Sequence, residues 1–115
     1  MRMPSTPLFV KTRDFNLWLL QRTQKFPKNL RLSYTNRLEG LAFEFEELLL
    51  KANSARLEQR AELLEAADSK LIVLRATLRY SLDLGFLSGQ QLLYASECLD
   101  ELGRLLGAWF KGTKR

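Results

Sequence analysis

An antiparallel, up-down-up-down four-helix bundle is the fold this sequence predicts, and three observations predict it. Four long stretches place apolar residues at helical spacing. Short breakers separate them at Phe26-Pro27, Asn53-Ser54 and Gly85 to Ser88. No stretch alternates apolar and polar residues strongly enough to compete as a strand. Connections this short make consecutive helices antiparallel neighbours. The 115 residues fit one domain, 1–115, with no repeat and no low-complexity segment.

The first helix is expected over about 7–25, opened by Thr6 as a cap with Pro7 at the first helical position. Leu8, Phe15, Trp18, Leu19 and Phe26 form its core stripe, while Val10, Leu17 and Leu20 sit on the other side. Pro27 stops it, because the residue before proline is pushed out of the α region.

The second helix is expected over about 30–52. Tyr34, Leu38, Leu41, Phe45, Leu48 and Ala52 follow the 4-3-4-3-4 spacing of one buried face. Phe43 and Leu50 lie roughly 160–180° from the centre of that face. Two large apolar residues turned outward beside Glu39 and Glu47 point to a subunit or partner interface.

The third helix, about 55–84, is stopped by Gly85, and its core face is Leu57, Leu64, Ala67, Leu71, Leu74, Leu78 and Leu82. Arg75 lies about 40° from the centre of that stripe, with Asp68 and Arg79 on the same flank. A cation so near a core face must meet a carboxylate, a carbonyl or an anion.

Ser88 and Gln91 form a capping box that opens the fourth helix, about 89–111, which Gly112 is expected to end. Lys114 and Arg115 then suit the negative end of its dipole. Leu92, Ala95, Leu99, Leu102, Leu106 and Trp109 share its apolar face, and Arg104 points nearly opposite. Gly103 and Gly107 stack on the flank of that face. Each costs about 1 kcal/mol against Ala, so close packing within the bundle or between subunits is their expected purpose.

Charge is distributed unevenly. Residues 1–37 hold eight Lys/Arg and one acid, whereas residues 38–68 hold three against eight, within a net charge of +5. A basic N-terminal third suggests an anionic partner. No apolar run approaches 18 residues and the first residues lack a leader pattern, so no membrane span is expected and the chain reads as cytoplasmic. The single cysteine, Cys98, excludes an internal disulfide and agrees with a reducing compartment.

Histidine is absent, which removes the commonest general base and transition-metal ligand. Cys98 sits among Glu97, Asp100 and Glu101 with nothing to activate it. The carboxylates Glu44, Glu46, Glu47, Glu62, Glu65 and Asp68 lack the Glu-x-x-His pairs of a di-metal bundle. No catalytic residue, metal site or cofactor is expected, and the chain is read as non-enzymatic.

The basic residues carry more. Lys25, Lys28, Arg31 and Arg37 cluster at the first turn with Phe26 and Tyr34 interleaved, a pattern suited to phosphate contacts with stacking on unpaired bases. A solvated bend pairing with helix-two acids explains it equally well. Arg75 and Arg79, four apart, either clamp an anion or pair with Asp68, Asp83 and acids of other helices. Arg104 has Asp100 and Glu101 within one turn, so a local ion pair is its simplest explanation.

Three pieces carry a family resemblance over residues 15–112. They are Glu101-Leu102-Gly103-Arg104-Leu105-Leu106-Gly107-Ala108-Trp109; Ala66-Ala67-Asp68 followed by Leu74-Arg75 and Leu78-Arg79; and Phe26-Pro27-Lys28. With them the chain resembles the accessory variability determinant (Avd) proteins of diversity-generating retroelements. These are related to the four-helix-bundle proteins encoded within rRNA intervening sequences.

The resemblance implies a homopentameric barrel of four-helix bundles. Its implied partners are the element's reverse transcriptase and template-derived RNA, with DNA a further candidate. It implies a part in mutagenic retrohoming, in which template adenines are miscopied into a variable gene, without being the polymerase. On that reading Arg75, Arg79 and Arg104 face the partners, Lys28, Arg31 and Arg37 meet phosphates, and Phe43, Leu50, Gly103 and Gly107 serve the oligomer. The rival expectation is an oligomeric scaffold of the rRNA intervening-sequence type with no nucleic-acid role of its own.

Overall fold

In the computed structural model, residues 6–114 are described, with side chains from 7 to 113. The capping role expected of Thr6 and the dipole role expected of Lys114 and Arg115 rest on side chains outside those described. Four helices account for most of the chain: α1 (Thr6–Thr23), α2 (Asn36–Ser54), α3 (Leu57–Asp83) and α4 (Gly89–Lys114). Among the described residues there is no strand.

Side-chain contacts fix the register of every neighbouring pair. Asn16 and Thr23 of α1 meet Glu46 and Glu39 of α2. On the α2–α3 seam, Tyr34, just ahead of α2, reaches Thr77 while Glu44 meets Lys70. Between α3 and α4, Arg75 pairs with Asp100, and Gly103 lies against Leu71. Between α4 and α1, Tyr94 lies against Trp18 and Trp109 against Phe9. As one number rises its partner's falls in each pair, so all four seams are antiparallel. The helices lie along the 45 Å axis of a 45 × 26 × 24 Å body, which matches about 40 Å for the 27 residues of α3.

The core is one continuous cluster, with Leu19, Leu38, Leu41, Phe45, Leu49, Leu64, Leu74, Leu78, Leu99, Leu102 and Leu106 almost wholly buried. It agrees with most of the expected stripes, but Leu82 is half-buried outside the cluster and Leu49, not Leu48, is the wholly buried residue of that part of α2. Leu57 is 60 % exposed, because it starts α3 beyond the extended Arg56 with no layer beneath it. Trp18, Tyr34, Leu48 and Trp109 are half-buried edges of the core. On α1 the stripe is interrupted by the buried polar residues Thr12, Asn16 and Thr23. Thr12 donates to the Leu8 carbonyl and Asn16 to the Ala42 carbonyl, so these groups are satisfied in place.

The connections follow sequence chemistry in two cases and depart from it in two. The Ser88–Gln91 capping box forms reciprocally: the Gln91 N–H donates to Ser88 Oγ at 3.1 Å and the Ser88 N–H to Gln91 Oε1 at 2.9 Å. Gly85, at φ +80°, closes α3 in a Schellman motif, with Phe86 N–H donating to the Ser81 carbonyl and Gly85 N–H to that of Leu82. Gly112, by contrast, does not end α4. The helix runs on to Lys114, and the buried Thr113 returns its hydroxyl to the Trp109 carbonyl. Nor does the second helix start cleanly at residue 30. A 3₁₀ turn (Lys28–Leu30) and a π-turn (Arg31–Thr35) precede α2.

Candidate nucleic-acid and partner interface

The end of the bundle that carries the α1–α2 and α3–α4 connections holds most of the expected cations. Pro27, at φ −57° and ψ 137°, turns the chain out of α1. The buried Phe26 then anchors it against Phe86, at 5.1 Å between ring centroids, and lies parallel to Tyr34 at 6.5 Å. The π-turn carries Tyr34 onto α3, where its hydroxyl donates to the Thr77 carbonyl at 2.6 Å and meets Ser81 Oγ at 2.7 Å. Burial pushes this phenol above its usual range, against the pull of the Ser81 contacts.

Phe26 and Tyr34 are therefore structural, and the expectation that they stack on unpaired bases is corrected. The aromatic that this end exposes is Tyr80 of α3, packed edge-on against Tyr34 at 6.2 Å.

Of the three phosphate candidates, Arg31 is occupied. Its guanidinium spans both oxygens of Glu39 at 3.2 and 3.3 Å and also donates to Asn36. Thr23 donates to the same carboxylate at 2.6 Å. Burial alone would raise the Glu39 pKa, but these hydrogen bonds outweigh it and hold the carboxyl below its usual range. Lys28 and Arg37 are exposed and stand outside the ion pairs of the described residues.

The three arginines expected to face partners do not converge on one clamp. Arg75 crosses to Asp100 of α4 at 2.7 Å, whereas Arg79 pairs along its own helix with Asp83 at 3.5 Å. Arg104 pairs with Glu101, the local partner the sequence offered. Asp68 takes no part in these pairs. All three guanidinium groups remain at the surface, where such pairs contribute about 0–1 kcal/mol. An incoming phosphate or carboxylate can therefore compete for them.

Gly103 and Gly107 of α4 differ. A Cβ on Gly103 would sit 3.6 Å from Leu71 Cδ2 and 3.7 Å from Arg75 Nη2, ordinary contact, and one on Gly107 would meet nothing within 4 Å. Close packing within the bundle therefore does not explain Gly107. Instead it opens a groove between α3 and α4, lined by Leu64, Leu106 and Phe110 with Glu65 and Asp68 at its rim.

Phe43 and Leu50 are exposed as expected, at 47 % and 46 %. Register adds what periodicity could not. With Asn16 facing Glu46 and Thr23 facing Glu39, Leu17 stands within one turn of the level of Phe43 and Val10 within one turn of that of Leu50. These two α1 residues are also half-exposed, so four large apolar side chains mark the outer side of the α1–α2 pair.

A family model described as bAvd-like matches residues 8–113. The chain belongs to this family. Curated proteins and solved structures yield no match. Membership suggests an accessory protein of diversity-generating retroelements. No described helix is long and apolar enough to cross a membrane, and no described group of three His, Cys, Asp or Glu could hold a metal ion. Cys98 is half-buried beside Tyr94 in a cleft between α1 and α4.

Proposed function

We propose that this chain is a non-enzymatic accessory subunit of a diversity-generating retroelement, binding the element's reverse transcriptase and template-derived RNA to support mutagenic retrohoming. The observation that carries this reading is the family match over residues 8–113. The exposed cations support it. Lys28 and Arg37 are available to phosphates at one end of the bundle. Arg75, Arg79 and Arg104 sit in weak surface pairs along α3 and α4. Arg31 contributes by holding the turn that presents Lys28. In this reading the chain acts in the cytoplasm as a homopentamer, with Phe43 and Leu50, joined by Val10 and Leu17, covered by neighbouring subunits.

The test is RNA binding by the intact chain across a salt series. Binding to single-stranded template RNA is expected, and each phosphate contact removed by an Arg→Ala or Lys→Ala change should lower the salt slope by about 0.7. No binding at low salt, or affinity unchanged when Arg75 and Arg79 both become Ala, overturns the assignment. Co-purification with the reverse transcriptase tests the other half.

A second reading, an oligomeric scaffold of the rRNA intervening-sequence type without a nucleic-acid role, is favoured by the four-residue apolar patch. A native mass spectrum showing oligomers, from a protein that ignores RNA at low salt, would select it.

A further inference from the structure

We propose that Tyr80, with Arg37 across the α2–α3 seam, is a stacking platform for an unpaired base of single-stranded RNA. The inference rests on the nucleic-acid reading above and names the ligand geometry of one site within it.

Tyr80 is 60 % exposed, yet its ring is not loose. It stands edge-on to Tyr34, which in turn packs against Phe26 and Phe86 and is pinned to α3 by its hydroxyl. Three aromatic rings thus hold a fourth at the surface. An aromatic ring ordered before the ligand arrives loses little freedom on binding, which a base-stacking surface requires.

The surroundings match an anionic, partly apolar ligand. Val73 and Leu84 are exposed on the same side of α3 as Tyr80, seven residues before it and four after. The Glu44–Lys70 contact puts Arg37 level with Thr77 and the Tyr34–Thr77 contact puts it level with Leu74. Arg37 thus lies one to two turns, roughly 5–9 Å, from Tyr80 along the helix. The groove running on from there is lined by Arg37, Leu41, Leu48, Ala66, Ser69, Lys70 and Val73, with no carboxylate among them. Lys70 is paired with Glu44 on its rim, whereas Arg37 stands outside the ion pairs of the described residues. A base on Tyr80 would therefore place its phosphate beside a cation with no competing partner. A duplex offers no such base face, since its bases are already stacked.

The experiment measures binding of a fluorescently labelled, unstructured single-stranded RNA, and of its duplex, to the full chain. The variants are Tyr80→Leu, Tyr80→Phe and Arg37→Ala, each checked by thermal melting. Tyr80→Leu is expected to weaken the single strand roughly 5- to 150-fold, the range for losing one stacked base, with the duplex unchanged. Tyr80→Phe should bind as wild type, and Arg37→Ala should weaken the single strand and flatten its salt dependence.

If Tyr80→Leu binds the single strand as wild type while Arg37→Ala still weakens it, the platform is overturned and the nucleic-acid reading stands. If the wild-type chain binds no RNA at low salt, the parent reading fails first. If Tyr80→Leu keeps RNA affinity but loses the reverse transcriptase, the ring is a protein contact and the proposal is wrong.

Discussion

Tyr34 and Thr77, 43 residues apart, are joined by a 2.6 Å hydrogen bond from the phenol to a backbone carbonyl. The bond ties the π-turn before α2 to the last turns of α3 and sets the register of that seam. Tyr34→Phe should destabilise the protein by about 1–2 kcal/mol, since the fully buried Ser81 loses its partner. Urea unfolding measures this. Because the folded phenol is raised above the ordinary 10.0, the stability it supplies is complete below that pH and is lost as pH rises through the folded value. Tyr34→Phe should lack this alkaline component.

Glu39 sets the opposite arm. Its folded pKa lies below the ordinary 4.5, so its contribution is present above that pH and disappears as pH falls through the folded value. Glu39→Gln should lose about 1.5–3 kcal/mol at neutral pH, a typical value for hydrogen bonds to a charged group. Its stability should also fall less steeply than the wild type's below pH 4.5. A steeper acid limb in the variant would show that the Arg31–Thr23–Glu39 cluster is not the titrating element.

At the other end of the bundle Arg60 caps α2 from outside. Its Nε donates to the Ala52 carbonyl at 2.9 Å and Nη2 to Ala55 at 3.1 Å, with the guanidinium 5.9 Å from the Trp109 ring centroid. A lysine has one donor group and no planar fork. Arg60→Lys should therefore cost about 1–2 kcal/mol, and Arg60→Ala more, as read by chemical denaturation.

Gly107→Ala separates the two explanations of the glycine pair. A methyl there meets nothing within the chain, so helix propensity should stabilise the isolated bundle by about 1 kcal/mol. If Gly107 serves subunit packing, the same change lowers the oligomer fraction in native mass spectrometry. An unchanged assembly removes Gly107 from the interface.

The apolar patch makes a separate prediction. Phe43→Glu or Leu17→Glu should leave helical content and unfolding nearly unchanged, within about 0.5 kcal/mol, because both side chains are half-exposed. Light scattering should nevertheless show smaller particles. Particles of wild-type size would remove the α1–α2 face from any assembly.

The four helices, their apolar stripes, the Ser88 capping box and the Gly85 stop were legible because each depends on residues within a few positions of one another. Helical period and capping chemistry are local, and the sequence determined them by itself. So was family membership, since it rests on the residues in order. One error came where locality ends. The π-turn at Arg31–Thr35 goes with the reach of Tyr34 to Thr77 of α3, whereas Gly112 stays inside α4 through a local bond that the sequence did not announce, from Thr113 to the Trp109 carbonyl.

Arg79 and Arg104 take local partners the sequence offered, but only the tertiary structure decided which of the other charges are spent. Arg31 and Glu39 are eight residues apart, and Arg75 and Asp100 are twenty-five apart; no single-helix period relates such partners. The same holds for the surface. Periodicity exposed Phe43 and Leu50, but the antiparallel register brought Leu17 and Val10 within one turn of them. Periodicity placed Phe26 and Tyr34 beside cations, but packing buried them and left Tyr80 outside. Helix formation follows the period of one segment, whereas a site is assembled from several segments whose relative heights only packing sets.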